Sequence, residues 1–324
     1  MSKPFQIAVL SDIHYAGAAE RARVGFQLEG VGPAWQRWAV QTYRHYVWLR
    51  DPFAHNGLLD RFLVEAAHAD HVVANGDYSC DSAFIGVSDQ AAFLSAHECL
   101  EKLRQSFVGR FEASFGDHEI GKQMMGGERG GLRLASFHRA RTELGLRPLW
   151  KLTVGDYLLI GITSTLVAWP VYEAESLVSE QPEWKTLRAA HLEDICQTFA
   201  AVQPRQRVLL FCHDPTALPF LWKEPAIRAK LDQVERTIIG HLHSELILWQ
   251  SRILAGMPVV RFLGHTTRRL STALNEARHW RPFKVLLCPA LAGIELSRGG
   301  GYYTLEIDME GRRPARFQRH RLAR

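Results

Sequence analysis

The chain has 324 residues, 47% of them apolar and 23% charged, with 39 Lys and Arg against 34 Asp and Glu for a formal net charge of +5. That is enough apolar material for one large α/β domain with insertions, and too much for a disordered chain. No apolar run approaches the ~20 residues of a membrane span, and five cysteines without Cys-x-x-Cys spacing argue against a disulfide framework and for a reducing, cytoplasmic setting.

In chain order, the first predicted strand runs from Phe5 to Leu10 and ends on Asp12-Ile13-His14. It starts so near the amino terminus that no leader is expected. From Tyr15 to His55 follows an insert far longer than an ordinary connection. Trp35, Trp38, Tyr43, Tyr46 and Trp48 alternate there with Arg21, Arg23, Arg37, Arg44 and Arg50, at broadly helical spacing from Trp35 onward. The insert either overhangs whatever the Asp-x-His turn builds or packs its aromatics on the domain with Arg outward.

The next strands are His71 to Ala74, ending on Gly76-Asp77, and Phe111 to Phe115, ending on Gly116-Asp117-His118-Glu119. A glycine-rich loop, Gly126 to Gly131, carries Arg129, a residue type that binds phosphate bidentately. Val208 to Cys212 leads to His213, and Thr237 to Ile239 leads to Gly240-His241-Leu242-His243. A second insert, about 244–284, carries Arg252, Arg261, Arg268, Arg269, Arg278 and Arg281. Cys288-Pro289-Ala290, a strand from Gly301 to Ile307 and a solvated basic tail with six arginines and no acid after Gly311 complete the chain.

Five strand ends thus supply Asp12, Asp77 and Asp117 together with His14, His118, His213, His241 and His243. Carboxylate oxygen and imidazole nitrogen form the donor mix that suits Mn, Fe or Zn, and there are enough donors for two ions. Ligands at the carboxyl ends of several strands converge at one sheet edge, the edge where open α/β sheets bind. Gly76, Gly116 and Gly240 precede donors at positions where a sharp turn and a close backbone approach are needed.

The ordered series Asp-x-His, Gly-Asp, Gly-Asp-His-Glu, His and Gly-His-x-His resembles the calcineurin-like metallophosphoesterase superfamily. Cys288-Pro289-Ala290 and the strand through Ile307 resemble that family's C-terminal end, so the likeness spans most of the chain. It implies a four-layer α/β/β/α sandwich of two mixed sheets. It also implies one ion held by Asp12, His14, Asp77 and His243 and a second by Asp77, Asp117, His213 and His241, with Asp77 bridging. His118 would act on the phosphoryl group rather than hold metal. The family has Asn where this chain has Asp117, and Cys80 replaces an acid that often follows Gly-Asp.

The expected activity is hydrolysis of a phosphodiester or pyrophosphate by a single 1–324 domain using two divalent or mixed-valence ions. A nucleotide or lipid-linked substrate suits the aromatic, Arg-rich insert, and Arg129 is the candidate substrate contact. The basic balance also fits nucleic acid or peripheral contact with an anionic membrane. The alternatives are a phosphomonoesterase and a non-catalytic metal-binding scaffold of the same fold.

Overall fold

Side chains of the first strand, β1 (Phe5–Leu10), divide between two apolar clusters: Ile7 and Val9 enter one, Ala8 and Leu10 the other. This period-two division marks a strand buried on both faces. The computed structural model describes residues 4–23, 25–28, 33–43, 45, 51, 53–124, 129–259, 265–293, 296 and 299–322. The other strands are β2 (His71–Ala74), β3 (Phe111–Ala113), β4 (Leu149–Val154), β5 (Tyr157–Ile162), β6 (Arg207–Cys212), β7 (Val234–Ile239), β8 (Val285–Leu287), β9 (Tyr302–Ile307) and β10 (Arg316–His320).

They form two five-stranded sheets, in the orders β10-β9-β1-β2-β3 and β4-β5-β6-β7-β8. Within the first, β1, β2 and β3 are parallel, β9 is antiparallel to β1, and β10 is antiparallel to β9. Within the second, only β4 is antiparallel to its neighbour. Ile7, Val9, Val73 and Leu305 of the first sheet share a buried cluster with Leu159, Leu209, Phe211 and Ile238 of the second, so the sheets pack face to face. Outside the first sheet lie the helices Asn56–Glu65, Gln90–Ser106 and Leu134–Thr142; outside the second lie most of Gln181–Ala200 and the segments Leu218–Lys223 and Ala277–Phe283. The architecture is the expected four-layer sandwich with mixed sheets.

Register places the donors. Leu10 pairs with Ala74 and Ala74 with Ala113, so β1, β2 and β3 end level, and the segments after them leave from one edge. β6 and β7 are likewise parallel neighbours with Phe211 opposite Ile238. The first insert begins pinned to this edge. Buried Glu20 accepts from Ser82 N–H and Oγ, both at 2.9 Å. Arg23 pairs bidentately with Asp89 at 2.8 and 2.9 Å, and Asp89 also caps Gln90–Ser106 by accepting from Ala91 and Ala92 N–H.

One expectation needs correcting. The residues read as a solvated basic tail include β10, which pairs along its length with β9 and turns Phe317 toward the cluster between the sheets. Among the described residues no helix is long and apolar enough to cross a membrane.

Candidate metal centre

The strand ends turn sharply, and the turns fall on the polar residues themselves. Asp12, His14, Asp77, His241 and His243 all have positive φ, between 47° and 60°. Non-glycine residues rarely occupy that left-handed region, which costs on the order of 1–3 kcal/mol each and persists where surrounding structure enforces it, typically at functional sites. Glycine makes the approach of these turns sterically feasible. A Cβ on Gly116 would stand 2.1 Å from Asp77 Oδ1, and one on Gly240 2.3 Å from Asp12 Oδ2.

Backbone bonds lock the turns to one another: Asp12 N–H donates to Gly76 O at 3.1 Å, His14 N–H to Asp77 O at 2.9 Å, and Gly240 N–H to His213 O at 2.9 Å. Leu291 N–H, just past Cys288-Pro289-Ala290, donates to Asp12 O at 3.1 Å. Glu119 is the clamp between the second and third strand ends. Its buried carboxylate accepts from the N–H groups of Gly116, Asp77 and Tyr78 at 2.7, 3.0 and 2.8 Å.

The side chains converge. One ligand atom from each of Asp12, His14, Asp77 and His243 lies within 4.8 Å of the others, and the same holds for Asp117, His213 and His241 and for Asp77, Asp117 and His118. Asp77 Oδ2 stands between the groups, 3.7 Å from His14 Nε2 and 3.2 Å from His213 Nε2. His213 Nε2 and His241 Nδ1 each lie 3.1 Å from Asp117 Oδ1, while His243 Nε2 lies 3.0 Å from Asp12 Oδ1. All of these are buried except His241, whose side chain is 30% exposed.

Far-side contacts aim the rings. His213 Nδ1–H donates to Asn75 O at 2.6 Å and His118 Nδ1–H to Ser79 O at 3.1 Å, which turns each Nε2 lone pair toward the carboxylates. Burial opposes ionisation of Asp12, yet His243, His213 and His14 hold it well below the usual carboxylate range. Burial drives His14 well down and His118 to about 4, so both offer neutral nitrogen. Burial works against protonation of His213 and His241 as well, but Asp77 and Asp117 respectively raise them.

No protein-family model and no curated protein sequence matches the chain. Among solved structures it is similar to a dimetal phosphatase from Danio rerio, with a TM-score of 0.51 at 12% identity over 94% of this chain and 93% of that one. The chain has the calcineurin-like metallophosphoesterase fold. A purple acid phosphatase from yellow lupin (Lupinus luteus) seeds also matches, at a TM-score of 0.37 and 13% identity over 75% of this chain and 38% of that one, a likeness too slight to bear on the fold.

On this metallophosphoesterase fold the donor set fits metal. Asp12 Oδ2 and Asp77 Oδ2 are buried without a properly oriented hydrogen bond, although imidazole nitrogens crowd Asp77 Oδ2, and His14 Nε2 faces His243 Nε2 at 3.3 Å. Buried oxygens lacking donors and two ring nitrogens turned toward each other are what a cation would satisfy. Every residue expected as a ligand is brought to this one place.

Lys122 escaped the sequence reading. Its Nζ lies 3.0 Å from Asp117 Oδ2, and Asp117 with Asp77 holds the ammonium up against burial. Asp117 therefore carries its own counter-ion, which no spacing rule signals. His118 takes the Ser79 carbonyl as the partner of its Nδ1, while Cys80 Sγ donates to His14 O at 3.1 Å.

Other expected contacts fare differently. Trp35 and Trp38, on the helix Ala34–Tyr43, are each 69% exposed, so they neither pack on the domain nor line the cavity beside the centre. Trp48, Tyr46, Arg44 and Arg50 lie outside the described residues, as do residues 126–128 of the glycine-rich loop; Arg129 bounds that stretch and accepts from Met124 N–H at 2.9 Å through its carbonyl. The second insert forms the helices Glu245–Ile253 and His265–Glu276, and it is this insert that walls the cavity next to Asp117 and His241.

Proposed function

We propose that the chain is a dinuclear-metal-dependent phosphohydrolase acting on a phosphodiester. The observation that carries this reading is the convergence of seven buried or half-buried donors from five strand ends about one shared carboxylate, Asp77. On this reading Asp12, His14, Asp77 and His243 hold one ion, and Asp77, Asp117, His213 and His241 the other; Mn, Fe or Zn suits the donors. Two such ions about 3.5–4 Å apart would clamp the phosphoryl oxygens and stabilise charge on both sides of an in-line displacement.

The rest falls to the chain. His118, oriented by Ser79, presents Nε2 at the phosphoryl group and assists the departing oxygen. Lys122 offers an ammonium within reach of a phosphate oxygen, and Arg129 is a candidate second cation. A diester is favoured over a pyrophosphate because Glu175 and Asp214 line the adjoining cavity and would repel a second phosphate. The purified protein should carry close to two metals, consistent with a dinuclear site, and hydrolyse bis(p-nitrophenyl) phosphate faster than the monoester. Reversed preference would make it a phosphomonoesterase; two bound metals with no turnover would make it a scaffold.

The Asp117–Lys122 pair gives a separate expectation. Removing the cation by Lys122→Gln should tighten the metal beside Asp117, while Asp117→Asn should loosen it by leaving Lys122 facing a dication. The loss from Asp117→Asn should be smaller in the Lys122→Gln background, by on the order of tenfold in affinity. Calorimetric metal titration of the four proteins measures this, and equal losses in both backgrounds would contradict the pairing.

A further inference from the structure

A cavity of about 260 Å³ adjoins the centre where Asp117 and His241 line it, with Lys122 also on its wall. The remaining wall is mainly apolar, including Leu132, Val171, Leu242, Ile247 and Leu274. Thr165 and Trp280 also belong to the wall, with their polar atoms buried behind it. Thr165 is 2% exposed and Trp280 5% exposed, and neither the Thr165 hydroxyl nor the Trp280 indole N–H has a partner among the described residues. Both polar atoms are turned away from the open cavity, so the surface it presents beside Asp117, Lys122 and His241 is mainly apolar.

The two acids on the wall besides Asp117 are already engaged. Asp214 accepts from Tyr172 Oη–H and, at 2.8 Å, from Thr216 N–H, while Glu175 accepts from Gln123 N–H at 3.1 Å. They leave the cavity hostile to a further anion and without a call for a cation. Its volume lies below the roughly 300–1,000 Å³ of a drug-sized site, which suits a single ring or a short branched chain.

We propose that this cavity receives one organic group of the phosphodiester, an uncharged and mainly apolar moiety. The proposal rests on the phosphohydrolase reading above and goes beyond it by naming the substrate class: a phosphodiester with a compact apolar substituent rather than a phosphoprotein or a polyphosphate. Lys122 then stands where the ester's anionic phosphate meets its apolar part. The second insert, through Ile247, Leu274 and Trp280, becomes the specificity element.

Two non-hydrolysable probes test it on the metal-loaded full chain. Phenylphosphonate should bind more tightly than methylphosphonate by about tenfold to a hundredfold, the gain expected from burying a ring. Leu274→Trp, which fills the cavity, should bring that ratio to about one. Equal binding of methyl and phenyl probes, or a ratio untouched by Leu274→Trp, overturns the cavity assignment while leaving the metal centre standing. Failure of both probes to bind in a metal-dependent way overturns the underlying phosphohydrolase reading too.

Discussion

Asp77→Ala should remove both metal ions at once, taking bound metal from about two per chain toward none and abolishing turnover. The expectation follows from position: Asp77 Oδ2 faces His14 on one side and His213 on the other, and among the described residues no other side chain stands between the two groups in this way. His241→Ala and His243→Ala, each confined to one group, should cost one ion apiece. Ala at Asp77 also meets a backbone problem, because φ there is 60° and an ordinary side chain pays about 1–2 kcal/mol in that region. Asp77→Asn separates the two effects, since Asn tolerates the left-handed turn while lacking the charge. Elemental analysis with a melting curve reads both. Retention of one ion in Asp77→Asn would show that the residue does not bridge.

Much of this centre was legible because each donor follows a short β-branched or apolar run, and parallel strands in register must end at a common edge. Gly76, Gly116 and Gly240 were legible for the same reason: a close approach leaves a trace in residue type. The left-handed turns at Asp12, His14, Asp77, His241 and His243 were not, since Asp and His occur in every conformation and only tertiary contacts enforce this one. Lys122 was invisible because its pairing with Asp117 depends on how one loop folds back, with no period or motif behind it. The strand Arg316–His320 has a single apolar residue, Phe317, so its pattern reads as a solvated charge run; β9 decides it by supplying backbone partners. The inserts were seen as inserts, but which of them walls the cavity depends on helix packing that 3.6-residue periodicity leaves open.

His118→Ala should keep its metals and fold while losing kcat by roughly 10²–10⁴, the range for a positioned proton donor or acceptor. The substitution spares the contact most exposed to confusion, because it is the backbone N–H of residue 118 that donates to Asp77 Oδ1 at 3.0 Å. Burial holds the ring down at about 4, with Lys122 acting the same way and Asp77 and Asp117 opposing. A depressed pKa means the ring is neutral at pH 7 and gains its proton only on acidification. The wild-type-to-variant ratio should therefore grow as pH is lowered, over the range where metal content holds. It should shrink for activated esters such as p-nitrophenyl, whose departing oxygen needs no proton. The rival role is ligation, for which Asp77, Asp117 and His118 also form a group with convergent atoms. Metal content separates the two: a His118→Ala protein that loses an ion together with its activity would make His118 a ligand, and the leaving-group role given to it would fall.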